Sequence, residues 1–147
     1  MDLVTCFVTL HHVSDLKTTL SELARILRPG GYLILREHDS EKEYCLTAKY
    51  LHFIHAIMMI ARVGEFAHLP PTDNSSTQEQ TGHKYWKEQK LRIIEYTKTI
   101  HYRTHNTWNQ ELMNVGFQYR ATFDYSVDGS QNPQKLFYGV YQLRGTK

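Results

Sequence analysis

The chain has 147 residues, 41% of them hydrophobic, and 17 lysines and arginines against 15 acids leave a formal charge of +2. That length suits one ordinary domain with a sizeable core, and intermixed, nearly balanced charge excludes a polyelectrolyte without arguing for or against nucleic acid. The cysteines, Cys6 and Cys45, show no paired spacing for a disulfide or zinc site, which points to a reducing compartment, read as the cytoplasm.

The first expected element is a strand over residues 3–10. Leu3, Val4, Phe7, Val8 and Leu10, with Cys6 among them, form a nearly continuous apolar run, the pattern of a strand buried on both faces of a parallel sheet. Ser14 then stands where a helix N-cap would be, with Asp15 in the first turn. Leu16, Leu20, Leu23, Ala24 and Leu27 recur at helical spacing, with Lys17, Glu22, Arg25 and Arg28 on the other face. Pro29 cannot continue that helix, and Gly30-Gly31 allows a sharp reversal into a second strand from Tyr32 to Leu35. Strand, helix, turn and strand together predict a right-handed crossover.

Residues 46–63 are apolar enough to suggest a membrane span, but Lys49, His52, His55 and Arg62 would be costly in hydrocarbon. The stripe Leu46, Tyr50, Phe53, Ile57 and Ile60 predicts instead a buried helix packed on the sheet. From 64 to 84 the texture is that of a loop or insertion, centred on Leu69-Pro70-Pro71-Thr72-Asp73-Asn74-Ser75-Ser76. A helix is expected over residues 85–96. A further helix begins after Thr104 as N-cap, aligns Trp108, Leu112 and Val115 on one face, and ends at Gly116 as its C′ glycine. Residues 118–125 and 135–143 complete the chain as an antiparallel strand pair, joined through Asp128-Gly129-Ser130 and Asn132-Pro133.

Leu10-His11-His12-Val13 followed by Leu23-Ala24-Arg25-Ile26-Leu27-Arg28-Pro29-Gly30-Gly31 resembles the region between the fourth and fifth strands of class I S-adenosylmethionine-dependent methyltransferases, of the type with "LHH" and "R-x-L-(K/R)-P-G-G". The segment from Thr104 through Trp108 and Leu112 to Gly116-Phe117 is similar to a helix late in the same fold. The resemblance implies an α/β, Rossmann-like sheet with an antiparallel C-terminal strand pair, residues 1–147 being a partial domain whose first three strands are missing. It implies S-adenosylmethionine as cofactor of the complete domain, and acceptor-binding elements near the 64–84 loop. The glycine-rich turn and the ribose-binding carboxylate that this cofactor needs have no counterpart here: no two glycines are separated by a single residue.

What the resemblance leaves of the cofactor pocket is its floor, the end of the first strand here, with Phe7, Thr9, Leu10 and His11 beside the cofactor; plain core packing is the competing role for Phe7 and Leu10. On a strand end His11 and His12 would point to opposite sides. If the methyl acceptor carries a proton, a base is needed, and His11, Glu37, His38 and Asp39 are the candidates because strand ends at the carboxyl edge face the ligand crevice. A solvated, salt-bridged strand end explains Arg36-Glu37-His38-Asp39 equally well. No metal site is expected; His101 and His105 straddle a predicted loop and helix start. The functions weighed are the C-terminal half of a methyltransferase, incomplete alone; a non-catalytic half-fold that pairs with a partner chain; a decayed open reading frame; and a fragment of an RNA-cap guanine methyltransferase, for which Lys84, Lys87, Lys90 and Arg92 could meet phosphates. The acceptor, a small molecule or nucleobase, stays open. The unpaired edge over residues 3–10 predicts pairing with a partner chain or self-association.

Overall fold

The computed structural model describes residues 1–41, 45–68, 78–124 and 132–145, with the backbone alone at 78–85 and 124. The elements are β1 (Leu3–Phe7), α1 (Leu16–Ile26), β2 (Tyr32–His38), α2 (Leu46–Ala61), α3 (Gln78–Lys98), α4 (His105–Asn114), β3 (Phe117–Asp124) and β4 (Leu136–Leu143). This is the predicted order. The chain separates into two compact units, Met1–Lys49 with Ile100–Lys147, and Tyr50–Thr99.

The first unit holds a four-stranded sheet in the order β1-β2-β4-β3. β1 runs parallel to β2, with Leu3 opposite Tyr32 and Phe7 opposite Arg36, while β4 lies antiparallel to both β2 and β3. The reversal into β2 is a tight turn: Gly31 donates to the Arg28 carbonyl at 2.9 Å, Pro29 leads, and Gly30 takes φ +79°, a conformation suited to glycine. One face of the sheet carries Leu33, Leu35, Phe137 and Tyr141, packed with Leu16 and Leu20 of α1 and Trp108 and Leu112 of α4. Thr104 caps α4 as predicted, its Oγ1 accepting from Thr107 N at 3.2 Å, and Gly116 closes the helix with φ +97°.

The opposite face is open, and here β1 departs from expectation. Leu3, Thr5 and Phe7 are exposed and only Val4 and Cys6 turn toward the core. An unbroken apolar run cannot by itself distinguish a covered face from a bare one, and α1 and α4 cover one face only. β1 also stops at Phe7, because Val8 adopts φ +52°, which no strand continues through. Leu10–His12 form a single 3-10 turn instead. At α1 the cap is Asp15 rather than Ser14: its carboxylate accepts from Thr18 N at 3.1 Å.

In α2 the predicted stripe is inverted. Leu46 is 84% exposed and Phe53 60%, whereas Ala48, Leu51, His55 and Met59 are buried. The helix is apolar nearly all round, so spacing alone does not select its buried face. Cys45 lies just before α2, its sulfur accepting from Ala48 N at 3.3 Å. α3 begins at Gln78, within the stretch read as loop; residues 69–77 of that stretch, and 125–131 of the last hairpin, lie outside the described residues. The second unit gathers around Tyr96, whose hydroxyl donates to Glu65 and whose ring meets Phe66 at 4.8 Å and His55 at 5.6 Å. Among the described residues no helix is long and apolar enough to cross a membrane.

Candidate functional site

The carboxyl ends of β1 and β2, side by side in a parallel pair, bring together residues that the sequence separates by 26 positions. Glu37, next to last in β2, is fully buried and is the centre of the site. Its Oε1 accepts from the backbone N–H groups of Leu10 at 2.8 Å and Thr9 at 3.0 Å. Its Oε2 receives Nδ1 of His11 at 2.7 Å. The sharp bend at Val8, whose N–H donates to the Arg36 carbonyl at 2.7 Å, turns those successive N–H groups toward one carboxylate. They act on it as the first turn of a helix acts on an anion.

Burial opposes ionisation of Glu37, but the His11 hydrogen bond, the His11 and His38 charges and the Leu10 amide outweigh it and hold the carboxyl below the usual glutamate range. The group is therefore a carboxylate at neutral pH, and it fixes the histidine. Facing a carboxylate, which can only accept, Nδ1 of His11 carries the hydrogen it donates to Glu37, and Nε2 is the ring nitrogen turned away from that pair. The ring is buried, stacked at 14° on Tyr102 with centroids 6.3 Å apart, and its carbonyl accepts from His101 N at 2.7 Å.

Of the predicted base candidates the structure unites three. His38 is buried with its ring 5.3 Å from that of His11, and its Nδ1 lies 2.8 Å from the Gln134 carbonyl. Burial pushes the His38 imidazole below its ordinary value, only partly countered by that carbonyl. Asp39 stands apart from the trio: its carboxylate caps α4 by accepting from His105 N at 2.8 Å. The solvated reading of this strand end fails, since Glu37 and His38 are both buried. His11 and His12 do not diverge either, because the 3-10 turn sets their rings 4.0 Å apart.

Around the floor of the expected cofactor pocket, Leu10 is core and 3% exposed, whereas Phe7 is 48% exposed, edge-on to Tyr138 at 6.1 Å. Thr9 is exposed, its hydroxyl donating to the Phe7 carbonyl at 2.8 Å. Tyr102 went unnoticed in the sequence; nothing local marks it, since its role comes from a chain return nearly a hundred residues after His11. His105 binds Thr122 Oγ1 at 3.0 Å through Nε2. Lys87, Lys90 and Arg92 are exposed, as on an ordinary solvated helix face.

Residues 1–35 match a family model described as a methyltransferase domain. Over 49 residues the chain is 39% identical to fumosorinone synthetase of Cordyceps fumosorosea (strain ARSEF 2679), a stretch that is 33% of this chain and 1% of that protein. The CurJ carbon methyltransferase superposes over 99% of this chain with a TM-score of 0.51 at 19% identity. The complex between the Haloferax volcanii Trm112 methyltransferase activator and a methyltransferase superposes over 98% with a TM-score of 0.51 at 14% identity. The chain spans 30% and 54% of the lengths of those two structures.

Proposed function

We propose that this chain, which has the class I methyltransferase fold and whose first 35 residues match the methyltransferase domain family, is the C-terminal half of a domain that methylates an acidic carbon with His11 as base. The observation that carries this reading is the buried His11–Glu37 pair at the carboxyl edge of the sheet. Positioning alone serves many acceptors that already hold a lone pair, but a carbon acceptor must first lose a proton. A histidine held by a buried carboxylate supplies that function: Nε2 takes the proton from carbon, and the Glu37 carboxylate stabilises the imidazolium that results. Because His11 is buried, covering side chains must move aside for the acceptor; the half-buried His12 ring is one of them.

S-adenosylmethionine, as the cofactor proposed for the complete domain, would supply an electrophilic methyl group to the carbon that His11 deprotonates. Phe7 and the Thr9 hydroxyl fit that role, being accessible at the end of β1. The Leu10 side chain does not, and the Thr9 and Leu10 amides are committed to Glu37. The remaining contacts must come from a further α/β segment, in the same polypeptide or a partner. That requirement agrees with the bare face of the sheet and the edge position of β1. The comparison proteins include a carbon methyltransferase and a synthetase, and a carbon flanked by carbonyls is the acceptor class we favour.

The test is methyl transfer from labelled S-adenosylmethionine to a β-dicarbonyl acceptor, in the full protein that carries this chain. His11→Ala should lower the rate by about 10²–10⁴-fold, the usual contribution of a positioned base. It should also slow deuterium exchange at the acceptor carbon when no cofactor is added. Unchanged exchange and turnover in His11→Ala would refute the assignment.

A further inference from the structure

The opposite end of the sheet carries a second polar constellation. Gln142 in β4 donates from Nε2 to the Gly30 carbonyl at 2.9 Å, which fixes its amide. The Gln142 Oε1 so presented accepts from Arg120 twice, from Nε at 3.0 Å and Nη2 at 2.7 Å, and Gln118 Oε1 accepts from Nη2 at 3.0 Å. The guanidinium is thus held in place by neutral amides. A carboxylate in their position would have cancelled its charge; amides fix the fork and leave the charge whole.

Arg120 is also the residue at which β3 departs from regular pairing. Tyr119 pairs with Tyr141 and Ala121 with Val140, so Arg120 is the extra residue of a β-bulge. In an unbroken ladder Arg120 would stand opposite Val140; the bulge frees it to lean back over Gln118 and Gln142. Bulges of this kind re-aim a side chain and recur beside functional sites. Arg120 and Arg144 line a depression of about 370 Å³ together with Gly30, Gln118 and Gln142, and no carboxylate is among the described residues lining it. That volume is in the range of small-molecule sites. It lies at the amino end of β2, about 20 Å of strand from Glu37 at the other end, so it is no part of the site already described.

We propose that this depression binds a phosphate monoester, with Arg120 as the fixed anchor and Arg144 as the second cation. Two guanidinium groups with no carboxylate partner among the described residues suit a dianion, and with Nε and Nη2 of Arg120 donated to the glutamines, Nη1 is the nitrogen left to meet a phosphate oxygen. A lining that mixes guanidinium and amide groups with Leu143 and glycine, and an open mouth, favour a charged group carried on a small organic molecule.

The experiment is a titration of the full chain at pH 8 with inorganic phosphate, against sodium chloride at matched ionic strength. It reads the Arg120 Nε–H resonance and the thermal midpoint. The expected result is a saturable phosphate response that chloride does not reproduce, weakened at least tenfold in Arg120→Gln and in Arg144→Gln. Both positions are exposed, so the variants should keep the fold, and the wild-type titration decides the question without them. A linear response, one matched by chloride, or one that persists in Arg120→Gln would overturn the site. Acetate binding as tightly as phosphate would overturn the assignment to a phosphate and make the ligand a carboxylate.

Discussion

Glu37 shows how one side chain can be both structural and chemical. Its carboxylate collects three backbone N–H groups and an imidazole in a place from which water is excluded. Charge-assisted hydrogen bonds of this sort contribute about 1.5–3 kcal/mol each. Glu37→Gln keeps the shape but loses the charge and sets an amide N–H against His11 Nδ1. It should destabilise the chain by about 1–3 kcal/mol at neutral pH, read from denaturant unfolding. The pH dependence follows from the direction of the shift. The folded carboxyl sits below its unfolded value, so the stabilisation is complete above the ordinary glutamate value of about 4.3 and is lost as pH falls through the folded value. Stability of the wild type should therefore drop more steeply than that of Glu37→Gln below about pH 4.3. Parallel curves would show that Glu37 is not the ionised centre of the site.

Among the elements, β1 and α4 are the ones that build the site. β1 delivers it by ending early: a β-branched residue at φ +52° is a strained conformation, and here it bends the chain so that Thr9 and Leu10 face Glu37. α4 anchors it from the other side, since Asp39, two residues after Glu37, caps that helix along with Thr104. Removing either cap leaves an N–H group of the first turn without its acceptor. Thr104→Ala and Asp39→Ala should each cost about 0.5–2 kcal/mol, seen as a lower midpoint in thermal unfolding. No loss in either variant would mean that the caps are dispensable to α4.

For the whole molecule the dominant fact is a sheet covered on one face. On the bare face Leu3, Phe7, Tyr32 and Phe123 are all at least 43% exposed, and β1 lies at the edge of the sheet. Large apolar side chains left in water forfeit about 1.5–3 kcal/mol each, and edge strands add unpaired backbone groups. The isolated chain should therefore self-associate in a concentration-dependent way in sedimentation velocity. Tyr32→Lys with Phe123→Lys should shift it toward monomer. A well-folded monomer for the wild type at all concentrations would contradict this.

Much of the fold was legible in the sequence because it rests on local chemistry. Leucines at helical spacing, the Pro29-Gly30-Gly31 turn, the Thr104 cap and the glycine at 116 each act within a few residues. They set the order and type of the elements. Tertiary structure decided the rest. It chose which face of α2 is buried, because a helix apolar nearly all round offers little local preference, and left one face of β1 bare, because apolarity does not reveal whether another element covers it. It turned two separate candidates into one hydrogen-bonded pair, made Asp39 a helix cap, and stacked Tyr102 on His11. Those outcomes depend on which distant segments meet, and the energy that selects them exists only once the sheet is assembled.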